Sequence, residues 1–212
     1  MSSPFDQSRY QVRFDWGVEG LRRVAPADVT IVVDVLRFST TVAARVADGD
    51  RVPLDDEAHA VSLNGAAVAA EAGASPGTLV ILGALTNPAS VAAAVLAEQE
   101  RRGGRTSIAV IAAGERVADP QAEQVRFAVE DFFGAGAVID ALAAVGIDHS
   151  SPEAAAAGES FRGLRGAIRH LLTASGSGQE LIERGLRDEV VAATAIDSIS
   201  VAPALRDGCF VG

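Results

Sequence analysis

Three largely apolar runs, residues 29–36, 78–83 and 107–113, constrain the fold more than any other feature of this chain. Each has the length of a single strand and is rich in β-branched residues: Val29, Ile31, Val32 and Val33 in the first, Val80 and Ile81 in the second, Ile108, Val110 and Ile111 in the third. A strand with one wet face alternates polar and apolar residues, whereas a strand covered on both faces reads as an unbroken run. Stretches of helical spacing separate the runs, opening at Ser39-Thr40-Thr41, at Asn64-Gly65 and at Pro88, where a proline suits a first helical turn. Buried strands alternating with helices predict an α/β domain, three-layer α/β/α with a mostly parallel or mixed sheet. No repeat or low-complexity linker interrupts the 212 residues, so 1–212 reads as a single domain.

The flanks are consistent with that plan. Residues 11–16 alternate as a half-buried strand and 17–24 as a short helix. Helical patterns follow over 129–145, 154–157 and 161–174. Ser177-Gly178-Gln179-Glu180 has the spacing of a capping serine with a carboxylate three residues on. Residues 199–205 read as a closing strand and 209–211 as a last short one, while 50–63 give no clear pattern.

Charge and composition exclude several functions. The 28 acids outnumber the 18 bases for a net charge of −10, which repels nucleic acid and anionic lipid. All 18 bases are arginine, so a lysine Schiff base and a phosphate-binding P-loop are impossible. Any bound anion must be held by arginine, backbone N–H groups, hydroxyls or a metal ion. One cysteine rules out a disulfide framework and makes the cytoplasm the expected compartment. No run approaches the ~20 apolar residues of a membrane span. His59, His149 and His170 lack metal-ligand spacing, and Cys209 has no arginine suitably placed after it for a cysteine-phosphatase loop.

In sheets of this kind ligands bind beyond the carboxyl ends of the strands. Three segments fall there. The first, Asp34-Val35-Leu36-Arg37-Phe38-Ser39-Thr40-Thr41, sets a carboxylate, an arginine and three hydroxyls at a helix start, where free N–H groups and the helix dipole favour a phosphate. Arg37 suits a bidentate grip, although Asp34 and Ser39 acting as turn and helix caps would explain the same residues. The second, Gly114-Glu115-Arg116, supplies a carboxylate that could join an oxygen set for Mg²⁺ or be a solvated loop residue. In the third, Glu130-Asp131, adjacent acids at a helix start are explained by the dipole alone unless Asp34, Glu115 and Glu130 converge. Asn64-Gly65 reads either as a turn or as a place where backbone approaches a ligand. Asp34 is followed two residues on by Leu36, so the Asp-x-Asp pattern of aspartyl-phosphate enzymes is missing.

Taken in order, Val33-Asp34-Val35-Leu36-Arg37 with Thr40-Thr41, Asn64-Gly65, Glu130-Asp131 with Ala135-Gly136, residues 177–181 and Leu205-Arg206-Asp207-Gly208 resemble the 2-phosphosulfolactate phosphatase family over nearly the whole chain. Residues 12–17 resemble its actinobacterial branch. The resemblance implies a three-layer α/β/α phosphatase that uses Mg²⁺ and removes the 2-phosphate of a small acid. In methanogens this reaction gives sulfolactate for coenzyme M synthesis. By that resemblance Asp34 and a nearby carboxylate hold the metal, Arg37 with Thr40 and Thr41 holds the phosphate or the substrate acid, and Asn64 lies at the pocket wall; the residues themselves suggest Glu115 or Glu130 as that carboxylate, the helix start at Ser39 as a further phosphate contact and Gly65 beside Asn64. Glu130 or Asp131 is then the general base. Between Arg51 and Ser62 the chain is several dozen residues shorter than the family pattern, and Gln179 stands where an arginine is usual. A homologue impaired in catalysis that binds a small phosphorylated acid without hydrolysing it is the alternative. The Ala-rich helix faces permit a homo-oligomer without demanding one.

Overall fold

A computed structural model describes residues 3–55, 64–116 and 125–212. Its centre is four parallel strands: β1 (Val12–Trp16), β2 (Val29–Val33), β4 (Leu79–Gly83) and β5 (Ile108–Ala112), with Val29 opposite both Leu79 and Ile108. The two-residue β3 (Val52–Pro53) and the antiparallel pair β8 (Ala204–Arg206) and β9 (Cys209–Val211) extend the sheet, giving the order β1-β5-β2-β4-β8-β9-β3. The three apolar runs become β2, β4 and β5. The first strand is shorter than its run: the chain leaves the sheet after Val33, so Asp34 and Val35 lie in the loop beyond it.

Helices cover both faces. On one side lie α1 (Gly17–Arg23), α2 (Phe38–Ala47) and α3 (Gly65–Gly73), and on the other α4 (Pro88–Arg102), α5 (Val129–Ala144) and α6 (Pro152–Leu164). Each face has its own apolar cluster. Ile31, Val33, Ile81 and Val110 point into the cluster under α4–α6, and Val32, Leu82 and Ile111 into the one under α1–α3. The alternation of a covered strand thus explains the runs residue by residue. In α4, Pro88 opens the first turn, Arg101 and Arg102 sit at the negative end of the dipole, and Gly103 closes the helix in the left-handed region at φ 69°.

Several helix boundaries differ from the sequence pattern. The break expected at 158–160 is absent: α6 runs unbroken from Pro152 to Leu164, and the interruption is a 3₁₀ turn at Arg165–Ala167 before α7 (Ile168–Ala174). Ser151 starts α6 early by accepting from Ala154 N at 3.1 Å, and burial of Ala157, Gly158 and Phe161 outweighs the low helix propensity of glycine. The chain then forms α8 (Gly176–Glu183) and α9 (Arg187–Ala192); α9 was not legible in the sequence.

The edge of β1 is closed from within. Gln7, buried and at φ 53°, donates its side-chain amide to Phe14 O at 2.9 Å and accepts from Phe14 N at 3.0 Å. Ser151 N donates to Val12 O further down the same edge. Among the described residues no helix is long and apolar enough to cross a membrane.

Candidate active site

The chain leaves β2 toward one face and β5 toward the other, so their carboxyl ends part and form a crevice. Four acids line up at it. Helix α5 is pressed against the end of β2 because residue 134 is glycine: a Cβ there would lie 2.5 Å from Val35 Cγ2 and 2.8 Å from Val33 Cγ1. That approach brings Glu130 and Asp131, both buried in the first turn of α5, up to the loops after β2 and β5.

Asp131 ties those loops together. Its carboxylate accepts from Val35 N at 2.7 Å and from Gly114 N at 2.9 Å, so both oxygens are held by backbone. Burial, then the charges of Asp34 and Glu130, push its carboxyl well above the usual range against the pull of these two N–H bonds. It is sealed from solvent and engaged on both oxygens. Of the two acids expected as general base, this one braces the loops after β2 and β5.

Asp34 faces the other way. It accepts from Phe38 N at 3.2 Å and from Gly65 N at 3.1 Å, and its carbonyl takes Ser39 N. It therefore meets the first turns of α2 and α3 together, where helix dipoles favour a negative charge. A Cβ on residue 65 would sit 2.5 Å from Asp34 Oδ2, so only glycine allows this contact. The position expected for a phosphate at the start of α2 is thus occupied by the protein's own carboxylate.

The hydroxyls following Asp34 are redistributed for the same reason. Helix α2 begins at Phe38 with Arg37, not Ser39, at its cap. Ser39 is fully buried, donating to Val32 O at 3.1 Å and accepting from Asp34 N at 3.0 Å, and Thr40 donates to Val35 O at 2.8 Å. These two expected phosphate ligands hold the loop instead. Thr41 is half-buried and makes no side-chain hydrogen bond among the described residues. Arg37, after a cis peptide from Leu36, reaches Glu189 of α9. Asn64 donates to Gly114 O at 2.8 Å, joining the start of α3 to the loop after β5.

The remaining acids, Glu115 and Glu130, converge on one side chain that the sequence pattern misassigned. Ser177 was expected to cap a helix, but Ser175 caps α8 by accepting from Gly178 N at 3.1 Å. This frees the Ser177 hydroxyl, which lies within hydrogen-bond distance of both Glu115 and Glu130. The signal lay in the spacing Ser175-Gly176-Ser177: one serine at a helix start can cap it, and the second then faces elsewhere. Glu115 stands at the start of the short strand β6 (Glu115–Arg116), paired with β7 (Val125–Arg126), and forms an ion pair with Arg126 across that ladder. Burial raises the Glu130 carboxyl, with the Glu115 charge adding to it and the Ser177 hydrogen bond opposing it. One hydroxyl has one proton, so it cannot donate to two carboxylates. The pair is satisfied when Glu130 carries a proton and donates to Ser177, which donates to Glu115, or when a cation lies between the acids.

Two further features complete the surroundings. A cavity of about 330 Å³ lies at the carboxyl end of β1, lined by Trp16, Glu19, Arg23, Val125 and Phe127, and none of the four acids lines it. Among the described residues no three His, Cys, Asp or Glu side chains are grouped to hold a metal ion. The expected triad of Asp34, Glu115 and Glu130 is therefore not assembled: the glutamates meet, while Asp34 is occupied at the helix starts. The shortening expected between Arg51 and Ser62 falls mostly on residues 56–63, outside the described residues.

A family model described as 2-phosphosulpholactate phosphatase matches residues 55–208, well over half of the chain. The chain belongs to this family. Its members are phosphoric monoester hydrolases. The match takes in Asn64, Glu115, Glu130, Asp131, Ser177 and Glu189 and stops short of residues 34–41, whose likeness rests on their own sequence. No curated protein matches the chain.

Proposed function

We propose that this phosphatase removes the 2-phosphate of a small phosphorylated hydroxy acid, of the type of 2-phosphosulfolactate giving sulfolactate, at the crevice between β2 and β5. The observation that carries the reading is the convergence of buried Glu130 and half-buried Glu115 on Ser177, with Arg37 on the loop beyond β2. Arg37 supplies the fork for phosphate oxygens and Thr41 a hydroxyl beside it. Asn64 forms part of the wall. Glu130 is the proton-transfer group: burial brings its carboxyl toward the range where it can both take and give a proton. Ser177 orients it, and Glu115 with Arg126 carries the hydrogen-bonded chain outward.

The donor set fits Mg²⁺ as the cofactor. Mg²⁺ binds through one or two carboxylates and keeps waters and phosphate oxygens as its other ligands. Glu115 and Glu130 supply two hard oxygen groups whose shared hydroxyl leaves one contact without a proton. These two residues would hold the ion, with Asp34 contributing charge from the helix starts. When bound, the ion would polarise a phosphoryl oxygen and lower the pKa of a water. The cytoplasm is the compartment proposed, on the single cysteine and the acidic surface.

Phosphate release from a panel of 2-phospho acids, with Mg²⁺ and with chelator, tests this. Chelator-sensitive release is expected. No release, with calorimetric binding retained, would instead support a homologue that binds without hydrolysing; the short segment before residue 64 is the feature that favours it.

A further inference from the structure

Arg37 and Glu189 lie 152 residues apart in sequence and meet in an ion pair, Arg37 Nη1 to Glu189 Oε2, at 2.7 Å. Both side chains are partly exposed, 34% and 47%, so solvent screening leaves the pair little part in stability. Its placement is more informative. Glu189 stands in the first turn of α9, which packs against α8, and α8 carries Ser177. Two consecutive helices therefore each hold one candidate site group: Ser177 meets the glutamates and Glu189 meets the arginine.

The geometry of the guanidinium gives this contact a consequence. Its five N–H donors point in fixed directions, and a bidentate oxyanion takes either the Nη1–Nη2 edge or the Nε–Nη2 edge. A carboxylate held by Nη1 alone leaves the Nε–Nη2 edge open. Among the described residues no other side chain holds Arg37. Without Glu189 its long stem would carry the fork through many rotamers, and ordering it would fall to the substrate.

We propose that Glu189 is a positioning residue of the phosphate site: it holds Arg37 by Nη1 and presents the Nε–Nη2 edge to the phosphate. This rests on the reading of Arg37 as a phosphate ligand. The same carboxylate repels an incoming dianion, so its grip and its charge act in opposite directions and different variants separate them. Glu189→Ala removes both. Glu189→Gln keeps an acceptor oxygen for Nη1 and removes the charge.

The test is steady-state phosphate release from the 2-phospho acid panel with Mg²⁺, alongside calorimetric binding of inorganic phosphate, for wild type, Glu189→Ala, Glu189→Gln and Arg37→Ala. Glu189→Ala is expected to raise KM and the phosphate Kd by about tenfold, the scale of one oriented charge-assisted hydrogen bond, with a smaller fall in kcat. Glu189→Gln is expected to recover most of that loss. Chemical denaturation midpoints should stay close to wild type, which sets the effect apart from a structural one. If Arg37→Ala weakens phosphate while Glu189→Ala does not, or strengthens it, the positioning role is overturned and the arginine reading stands. If Arg37→Ala leaves KM and Kd at wild-type values, the arginine reading itself fails. A wild-type chain that binds neither phosphate nor any phospho acid overturns both.

Discussion

The two aspartates and the two glutamates of the crevice are held in opposite ways. Asp34 and Asp131 receive backbone N–H groups from Phe38, Gly65, Val35 and Gly114. Glu115 and Glu130 are held mainly by side chains, Ser177 and Arg126, with one backbone N–H also reaching Glu130. Backbone donors belong to the fold and move only with it. Side-chain donors can rotate and exchange partners with a substrate or an ion. The aspartates thus act as fasteners between strand ends and helix starts, and the glutamates keep the freedom that acid–base chemistry requires. Adjacent residues in one turn, Glu130 and Asp131, fall on opposite sides of this division because of the direction each carboxylate faces.

The sharpest way to break the comparison is Asp131→Ala. It leaves the N–H groups of Val35 and Gly114 without their acceptor in a dry site, and about 2–6 kcal/mol should be lost at roughly 1–3 kcal/mol per group. The urea midpoint reads this directly, and a wild-type midpoint would mean that Asp131 fastens nothing. Gly65→Ala should follow at about 1–3 kcal/mol, since its Cβ would sit 2.5 Å from Asp34 Oδ2 and the start of α3 must shift. Ser177→Ala should show the reverse profile, with turnover reduced roughly 10- to 100-fold as a group orienting the acids is lost. Its midpoint should move less than that of Asp131→Ala, because Glu130 can stay protonated. A midpoint loss as large as that of Asp131→Ala would place Ser177 among the fasteners.

The smallest effect is the dependence of stability on pH. Asp131 and Glu130 have carboxyls raised mainly by burial, so the folded chain holds more protons than the unfolded one between the ordinary carboxylate range and their raised values. Their contribution to stability falls as pH rises through that window. Glu98 has the opposite sign. Hydrogen bonding to Arg101, and more weakly to Arg102, lowers its carboxyl to about 2, so its contribution is complete above the ordinary glutamate value and is lost as pH falls through about 2. Urea midpoints across pH for wild type and Asp131→Asn should differ in slope on the alkaline side and agree on the acid side. Identical slopes would show that Asp131 does not titrate as its burial requires.

The sequence made the central strands legible because residues such as Ile31, Val32 and Val33 are apolar for both faces, and it made the start of α4 legible through Pro88. Other features depended on contacts with no local trace. Helix α6 continues past Gly158 because α5 packs on it, and α9 offers too short a pattern in residues 187–192 to be read alone. The acids of the site were identifiable by position behind predicted strands. Their division of labour was not, since it turns on which backbone N–H groups reach Asp34 and Asp131. Ser39, Thr40 and Ser177 show the same limit: a hydroxyl near a helix start suits a cap, a ligand or a loop brace equally well until its neighbours are placed.

Gln7 has a consequence for how molecules of this protein meet. An open strand edge is a template on which another chain can stack, and it is a common origin of aggregation. At β1 that template is filled by a glutamine side chain that imitates one residue of a neighbouring strand, and at the far edge β3 is two residues long and ends in Pro53. The sheet therefore offers a second molecule little backbone to pair with at either end. Substituting Gln7 with alanine would uncover the Phe14 amide and carbonyl and turn a terminated sheet into one that invites continuation.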